Sequence, residues 1–134
     1  MGIWTVIGVV WSAGVAAAEP VRVGVSAPLS GVLAEYGTAV RNGITLAQSS
    51  DPTVNKHLKI VFEDSQWDPK TAVSAYHALV NNHKAQVIYN WGNPTSEAVI
   101  PIAERAGTPL IAMSSDPKVA KDKRWGIRSI TSAP

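Results

Sequence analysis

Four short apolar runs, each followed by a segment of helical period, confine this chain to a narrow set of folds. The runs begin at residues 21, 58, 86 and 109, spaced 37, 28 and 23 residues apart, which leaves room for a strand, a crossover helix and two loops each time. Val21–Ser26 (VRVGVS), Leu58–Asp64 (LKIVFED), Gln86–Trp91 (QVIYNW) and Pro109–Met113 (PLIAM) carry the β-branched and aromatic residues of strands covered on both faces. A fifth short run, Gly126–Ile130, closes the series. Between the runs, Val40, Ile44 and Ala47 fall on one helical face, as do Ala72, Val73, Tyr76, Leu79 and Val80, and again Val99, Ile102, Ala103 and Ala106. Asp68 before Pro69 marks a helix start, since Asp caps and Pro lacks only a donor that the first turn does not use. Asn93 and Pro94 repeat the device, while Pro101 predicts a kink in the last helix or a start delayed to near Ser96. The expected architecture is α/β, a doubly wound parallel sheet with right-handed crossovers.

In such a sheet every strand-to-helix loop lies on the carboxyl edge, where ligands bind at the point at which the strand order reverses. Four loops converge there: Pro28–Tyr36, Ser65–Asp68, Trp91–Ser96 and Ser114–Asp116. They are rich in hydroxyls, with Ser30, Thr95, Ser96, Ser114 and Ser115 at strand ends or helix starts, where free N–H groups favour an anion. A single Ser in such a place ordinarily caps a helix. Several together, with Tyr36 and Trp91 beside them, point to a site for a small carboxylate.

Catalytic and metal patterns are scarce. His57, His77 and His83 fit no metal spacing; His77 is placed on the polar side of its helix and His83 near that helix's end, where it favours the dipole. The run GVSAP lacks the second glycine of a nucleophile elbow, and no glycine-rich phosphate loop follows a strand. Asp64 and Asp68 read as a strand end and a helix cap rather than as a catalytic carboxylate pair. No cofactor is implied, and the chain is expected to bind rather than to catalyse.

Residues 1–18 are almost wholly apolar and uncharged, and end in small residues with Ala16 and Ala18 in the Ala-x-Ala arrangement of a signal-peptidase site. A signal peptide over residues 1–18 is therefore expected, with export of the chain and Glu19 as the new N-terminus. Its Ser, Gly and Ala content argues against a membrane anchor. The absence of cysteine removes disulfides, thiolate metal sites and a lipoprotein anchor together. The 116 residues after the leader must then be held by one modest hydrophobic core. The net charge is only +2, and the late basic residues Lys118, Lys121, Lys123, Arg124 and Arg128 are interrupted by Asp116 and Asp122. Without interleaved aromatics they read as a solvated face, so no nucleic-acid partner is expected.

Three stretches carry a resemblance to a known family: VRVGVSAPLSGVLAEYGTAVRNGITLA, DPKTAVSAYHALVNNHKAQVIY and IPIAERAGTPLIAMSSDP. Together they resemble the start of a type I periplasmic solute-binding protein of the leucine/isoleucine/valine-binding family, the receptor component of ATP-dependent importers. The resemblance implies two α/β lobes that close over an amino acid or related small molecule and are then recognised by a membrane permease, with a monomer at full length. It implies that the turn containing Ser30 shapes one wall of the cleft and that Tyr36 packs on the ligand side chain. Asn93 and Thr95 fall in the loop that holds the ligand carboxylate, and Ser114 and Asp116 in the loop that meets its charged groups.

The chain departs from the family pattern at Trp91, Gly92 and Asn93, where small hydroxyl residues are usual, and at Asp116, where Thr or Ser is common. Leucine does not follow as the ligand. Asp116 has a plainer reading as the cap of a short helix beginning at Pro117. Residues 19–134 are much shorter than a two-lobed member of the family, so the expectation is an incomplete N-terminal lobe. The same fold also serves as the ligand-sensing domain of receptors and regulators, and a flavodoxin-like or nucleotide-binding enzyme is a third reading.

Overall fold

The computed structural model describes residues 18–130. Five parallel strands form one sheet among these residues, in the order β2-β1-β3-β4-β5. They are β1 (Val21–Ala27), β2 (Leu58–Asp64), β3 (Val87–Trp91), β4 (Leu110–Met113) and β5 (Gly126–Arg128). The four main strands lie within a residue or two of the apolar runs that predicted them. The expected leader, residues 1–18, falls outside the described residues except for its last position.

Helix α1 (Ala34–Ser50) and the short α2 (Pro52–His57) connect β1 to β2. Helix α3 (Pro69–His77), extended by a π turn at Ala78–Asn82, leads to β3, and α4 (Asn93–Ala106) leads to β4. Helices α3 and α4 pack side by side on one face of the sheet. That face holds the core: Tyr76, Leu79, Ile88, Val99, Ile100 and Leu110 are all at most 2% exposed. Gly24 lets this packing close, since a Cβ there would stand 2.9 Å from Ile88 Cδ1 and 3.0 Å from the Leu79 methyls.

The opposite face differs from the expectation of full cover. Helix α1 buries only Gly37 outright, and its Leu46 remains 66% exposed. Between α1 and the sheet lies an apolar cavity of about 460 Å³ lined by Val23, Ile60, Tyr89 and Ile111 with Val40 and Ile44 of the helix. Ala47, placed by periodicity on the buried side of α1, is exposed.

Three local features also depart from the sequence reading. The Asp51-Pro52 pair starts a helix that periodicity missed because α2 spans only six residues; the Asp51 carboxylate accepts from the Thr53 N–H at 2.9 Å. The same signal had been read correctly at Asp68, which accepts from the Thr71 N–H at 2.7 Å. Helix α4 begins at Asn93 and runs through Pro101, so its start is not delayed to Ser96. Pro101 is exposed, so the backbone bond it forfeits faces water, where the loss is small. In the core of α4, Ile100 takes the buried place that periodicity had given to Ala106.

The buried face makes a direct prediction. Leu79→Ala removes a fully enclosed side chain at the contact of α3 with the sheet and should cost about 2–5 kcal/mol in urea denaturation. A loss below about 1 kcal/mol would show that the core does not depend on this contact.

Candidate functional site

The strand order reverses between β1 and β3, because the chain turns to β2 on one side of β1 and returns to β3 on the other. The loops after β1 and β3 therefore leave toward opposite faces, the arrangement at which parallel sheets of this kind receive ligands. Each half of this edge is tied by one polar side chain.

On the β1–β2 half the tie is Asp64. Its carboxylate accepts from the Leu29 N–H (2.8 Å), the Ser30 N–H (3.3 Å), the Ser30 hydroxyl (2.5 Å) and the Gln66 N–H (2.9 Å). Partial burial pushes this carboxyl upward, but the donors of Ser30, Gln66 and Leu29 outweigh it and hold Asp64 below the ordinary value of 3.8. The Tyr-Gly pair in the next turn has a steric basis. Gly37 sits where α1 crosses the preceding turn, and a Cβ there would be 2.0 Å from the Pro28 carbonyl oxygen. That close approach sets Tyr36 over the edge.

On the β3–β4 half the tie is Asn93. Its Oδ1 accepts from the Ser114 hydroxyl and the Ser115 N–H, both at 2.9 Å, and its Nδ2 donates to the Ser115 hydroxyl at 2.9 Å. The Gly92 N–H adds a bond to the Met113 carbonyl at 2.9 Å. Asn93 thus spends its side chain on a neighbouring loop, and Gly92 occupies the cap position of α4 in its place. Beneath it, Asn90 donates to the Thr95 hydroxyl (3.1 Å) and the Ser96 hydroxyl (3.0 Å), while Thr95 donates to the Trp91 carbonyl at 2.7 Å.

Aromatic rings bridge the two halves. Tyr36, from the β1 side, stacks on Trp91, at the end of β3, with centroids 5.3 Å apart and planes 28° from parallel. Trp67, from the β2 loop, meets the other neighbour position of Trp91 at 5.0 Å and 56°. Gly92 makes this possible: its φ is +109°, and a Cβ would stand 2.0 Å from Cζ3 of Trp67.

The model of the periplasmic binding protein family matches residues 20–133. The chain belongs to that family. No curated protein matches the chain. Among solved structures, the branched-chain amino acid transporter substrate-binding protein LivJ from Streptococcus pneumoniae, in complex with isoleucine, is 24% identical with a TM-score of 0.75, covering 85% of this chain and 34% of its own. A solute-binding protein of an ABC transporter from Rhodopseudomonas palustris, in complex with 3,4-dihydroxybenzoic acid, is 23% identical with a TM-score of 0.73, covering 84% and 32%. A possible leucine/isoleucine/valine-binding protein from Rhodopirellula baltica is 31% identical over 71% of this chain and 27% of its own, with a TM-score of 0.63. The chain spans about a third of the length of these structures.

For this periplasmic binding protein, the seven residues singled out in the sequence all lie on the carboxyl edge or directly beneath it, in unequal positions. Tyr36 is 48% exposed and Ser30 is exposed, whereas Trp91, Asn93 and Asp116 are half-buried. Thr95 and Ser114 are fully buried. Their hydroxyls serve the internal network, and both residues position the loops that surround them. Asp116 accepts from the Lys118 N–H at 2.8 Å. It begins a series of turns at Pro117–Asp122 rather than a helix. Sequence reasoning placed the loop of Trp67 on this edge without singling out the residue; the signal was an aromatic side chain between Ser65 and the Asp68 cap. Asn90 was hidden in an apolar strand run, where only burial reveals its role. Among the described residues, no group of three or more His, Asp or Glu side chains is placed to hold a metal ion.

Asp64 supplies the prediction for this site. Its value is lowered in the folded protein, so its contribution is present above the ordinary aspartate value and fades as pH falls through the folded one. Asp64→Ala, which leaves three N–H groups without their acceptor, should lose about 1–3 kcal/mol near neutral pH in urea denaturation. That deficit should shrink as pH falls from the ordinary aspartate value of 3.8 through the lowered folded one and the parent carboxylate is protonated. A deficit independent of pH would show that the carboxylate charge plays no part in the tie.

Proposed function

We propose that the chain forms part of the N-terminal ligand-binding lobe of an extracytoplasmic solute receptor. It serves an ATP-dependent importer and takes a small amino acid or related carboxylate in a cleft between two lobes. One observation carries this reading: the family match coincides with a tied, aromatic-bridged edge at the strand-order reversal, the place where a parallel sheet of this kind receives a ligand. The solved neighbours hold ligands as different as isoleucine and 3,4-dihydroxybenzoic acid. Family membership thus supports a bound solute without fixing which one.

The exposed edge residues divide the work. Tyr36 and Trp91 line the apolar part of the ligand. The Ser115 hydroxyl, which accepts from Asn93 and keeps its own proton to donate, faces the carboxylate, while Ser30, whose hydroxyl donates to Asp64, shapes the adjoining wall of the cleft. Asn93, Thr95 and Ser114 hold these groups in place. Asp116 stands beside Ser114, where it would meet a cationic group in a ligand that carries one. The closed two-lobed form is the surface a membrane permease reads, and the protein acts as a monomer. The apolar leader directs export and is removed after Ala18.

Two measurements test this reading. Export should leave Glu19 at the N-terminus, as mass spectrometry of the periplasmic fraction would show; recovery of the intact chain in the membrane fraction would contradict it. Titration calorimetry on the chain alone should give amino-acid affinities weaker than micromolar. A cleft with one wall leaves the ligand half in water, and micromolar binding requires about 8 kcal/mol, which a few exposed hydrogen bonds of about 1 kcal/mol each do not reach. Tight 1:1 binding by this chain would overturn the two-lobed cleft.

A further inference from the structure

Taking the strand-reversal edge as the ligand site proposed above, we infer that it receives a planar aromatic carboxylate, stacked on the rings of Tyr36, Trp91 and Trp67, in preference to a branched aliphatic side chain. The three rings come from three separate loops and touch in series, at 5.3 Å and 5.0 Å between centroids. None of them belongs to the buried core beneath α3 and α4. They stand at the rim, with Tyr36 about half exposed and both tryptophans only partly buried.

The backbone around these rings carries a cost. Gln66 and Trp67 both occupy the left-handed region, at φ +52° and +60°, which residues with bulky side chains rarely adopt. Gly92, at φ +109°, gives up its side chain to the Trp67 ring. Strain gathered at one edge marks a place where geometry matters more than stability.

The polar groups favour the same class. Asp64, the carboxylate nearest the β1 turn, is filled by four donors, and Asp116 holds a turn through Oδ1. An α-ammonium group therefore gains less from this edge than a ring gains from the aromatic series. An aryl ring adds offset or edge-to-face contact to its burial, whereas a saturated ring of equal size has burial alone.

Benzoate, cyclohexanecarboxylate and leucine separate these contributions. The full chain would be titrated with each up to tens of millimolar, the regime of weak one-walled binding, while the two indole N–H signals of Trp67 and Trp91 are followed by NMR. Benzoate should shift both signals and half-saturate at about threefold to tenfold lower concentration than cyclohexanecarboxylate, with leucine weaker than either. Trp67→Leu should erase that preference while circular dichroism stays that of the parent. If Trp67→Leu fails to fold, Tyr36→Leu at the rim provides the same comparison. Equal half-saturation by benzoate and cyclohexanecarboxylate, or tighter leucine binding, would overturn the aromatic preference while leaving solute binding at this edge intact. Absence of a shift at either indole with all three compounds would overturn both.

Discussion

The reversal of strand order between β1 and β3 is the constraint from which the rest of the edge follows. Two parallel neighbours whose chains depart toward opposite faces leave a gap at their carboxyl ends that no ladder bond can close. In this chain polar side chains tie each side of the gap, and rings span it. Asp64 binds the loops of β1 and β2 into one unit; Asn93 does the same for β3 and β4. Tyr36 and Trp91 then join the two units across the reversal itself. Such a division ties each half internally by hydrogen bonds and leaves the contact between the halves to rings alone.

The two faces of the sheet show why this edge is supported from one side. Helices α3 and α4 cover the strands with a dense apolar layer, and Gly24 permits their close approach. Helix α1 covers the other face thinly and leaves a cavity against Val23, Tyr89 and Ile111. Burial of Tyr89 in that space pushes its phenol above the ordinary 10.0. The ordered start of α4, fixed by Asn90, Thr95 and Ser96 from below, therefore anchors to the well-packed side. The turn that carries Ser30 depends instead on the Asp64 tie.

Several side chains on the edge have roles that their residue type alone would not suggest. Asn93 stands before a proline, where it reads as a helix cap, yet its amide clamps a neighbouring loop and Gly92 holds the cap position without a side-chain bond. Thr95 and Ser114 offer hydroxyls that would suit a carboxylate, but burial commits both to internal bonds. Asp116 caps a set of turns instead of a helix, since its oxygen meets the Lys118 N–H without a helical run after it. In each case the donor and acceptor inventory is the same; what differs is which partner comes within 3 Å.

Periodicity and turn chemistry by themselves determined the class of fold. The strand runs beginning at residues 21, 58, 86 and 109 and the Asp68-Pro69 start were legible because a strand run, a helical face and a capped turn are all local patterns. The four loops that meet on the carboxyl edge were legible as well, because a parallel sheet puts every such loop there. Their division of labour was not. Trp67 became part of the edge only because Gly92 leaves room for its ring, and Asn93 became a clamp only because Ser114 and Ser115 lie opposite it. Those pairings join residues 20 or more positions apart, and spacing along the chain carries no record of distances that the folded sheet alone sets.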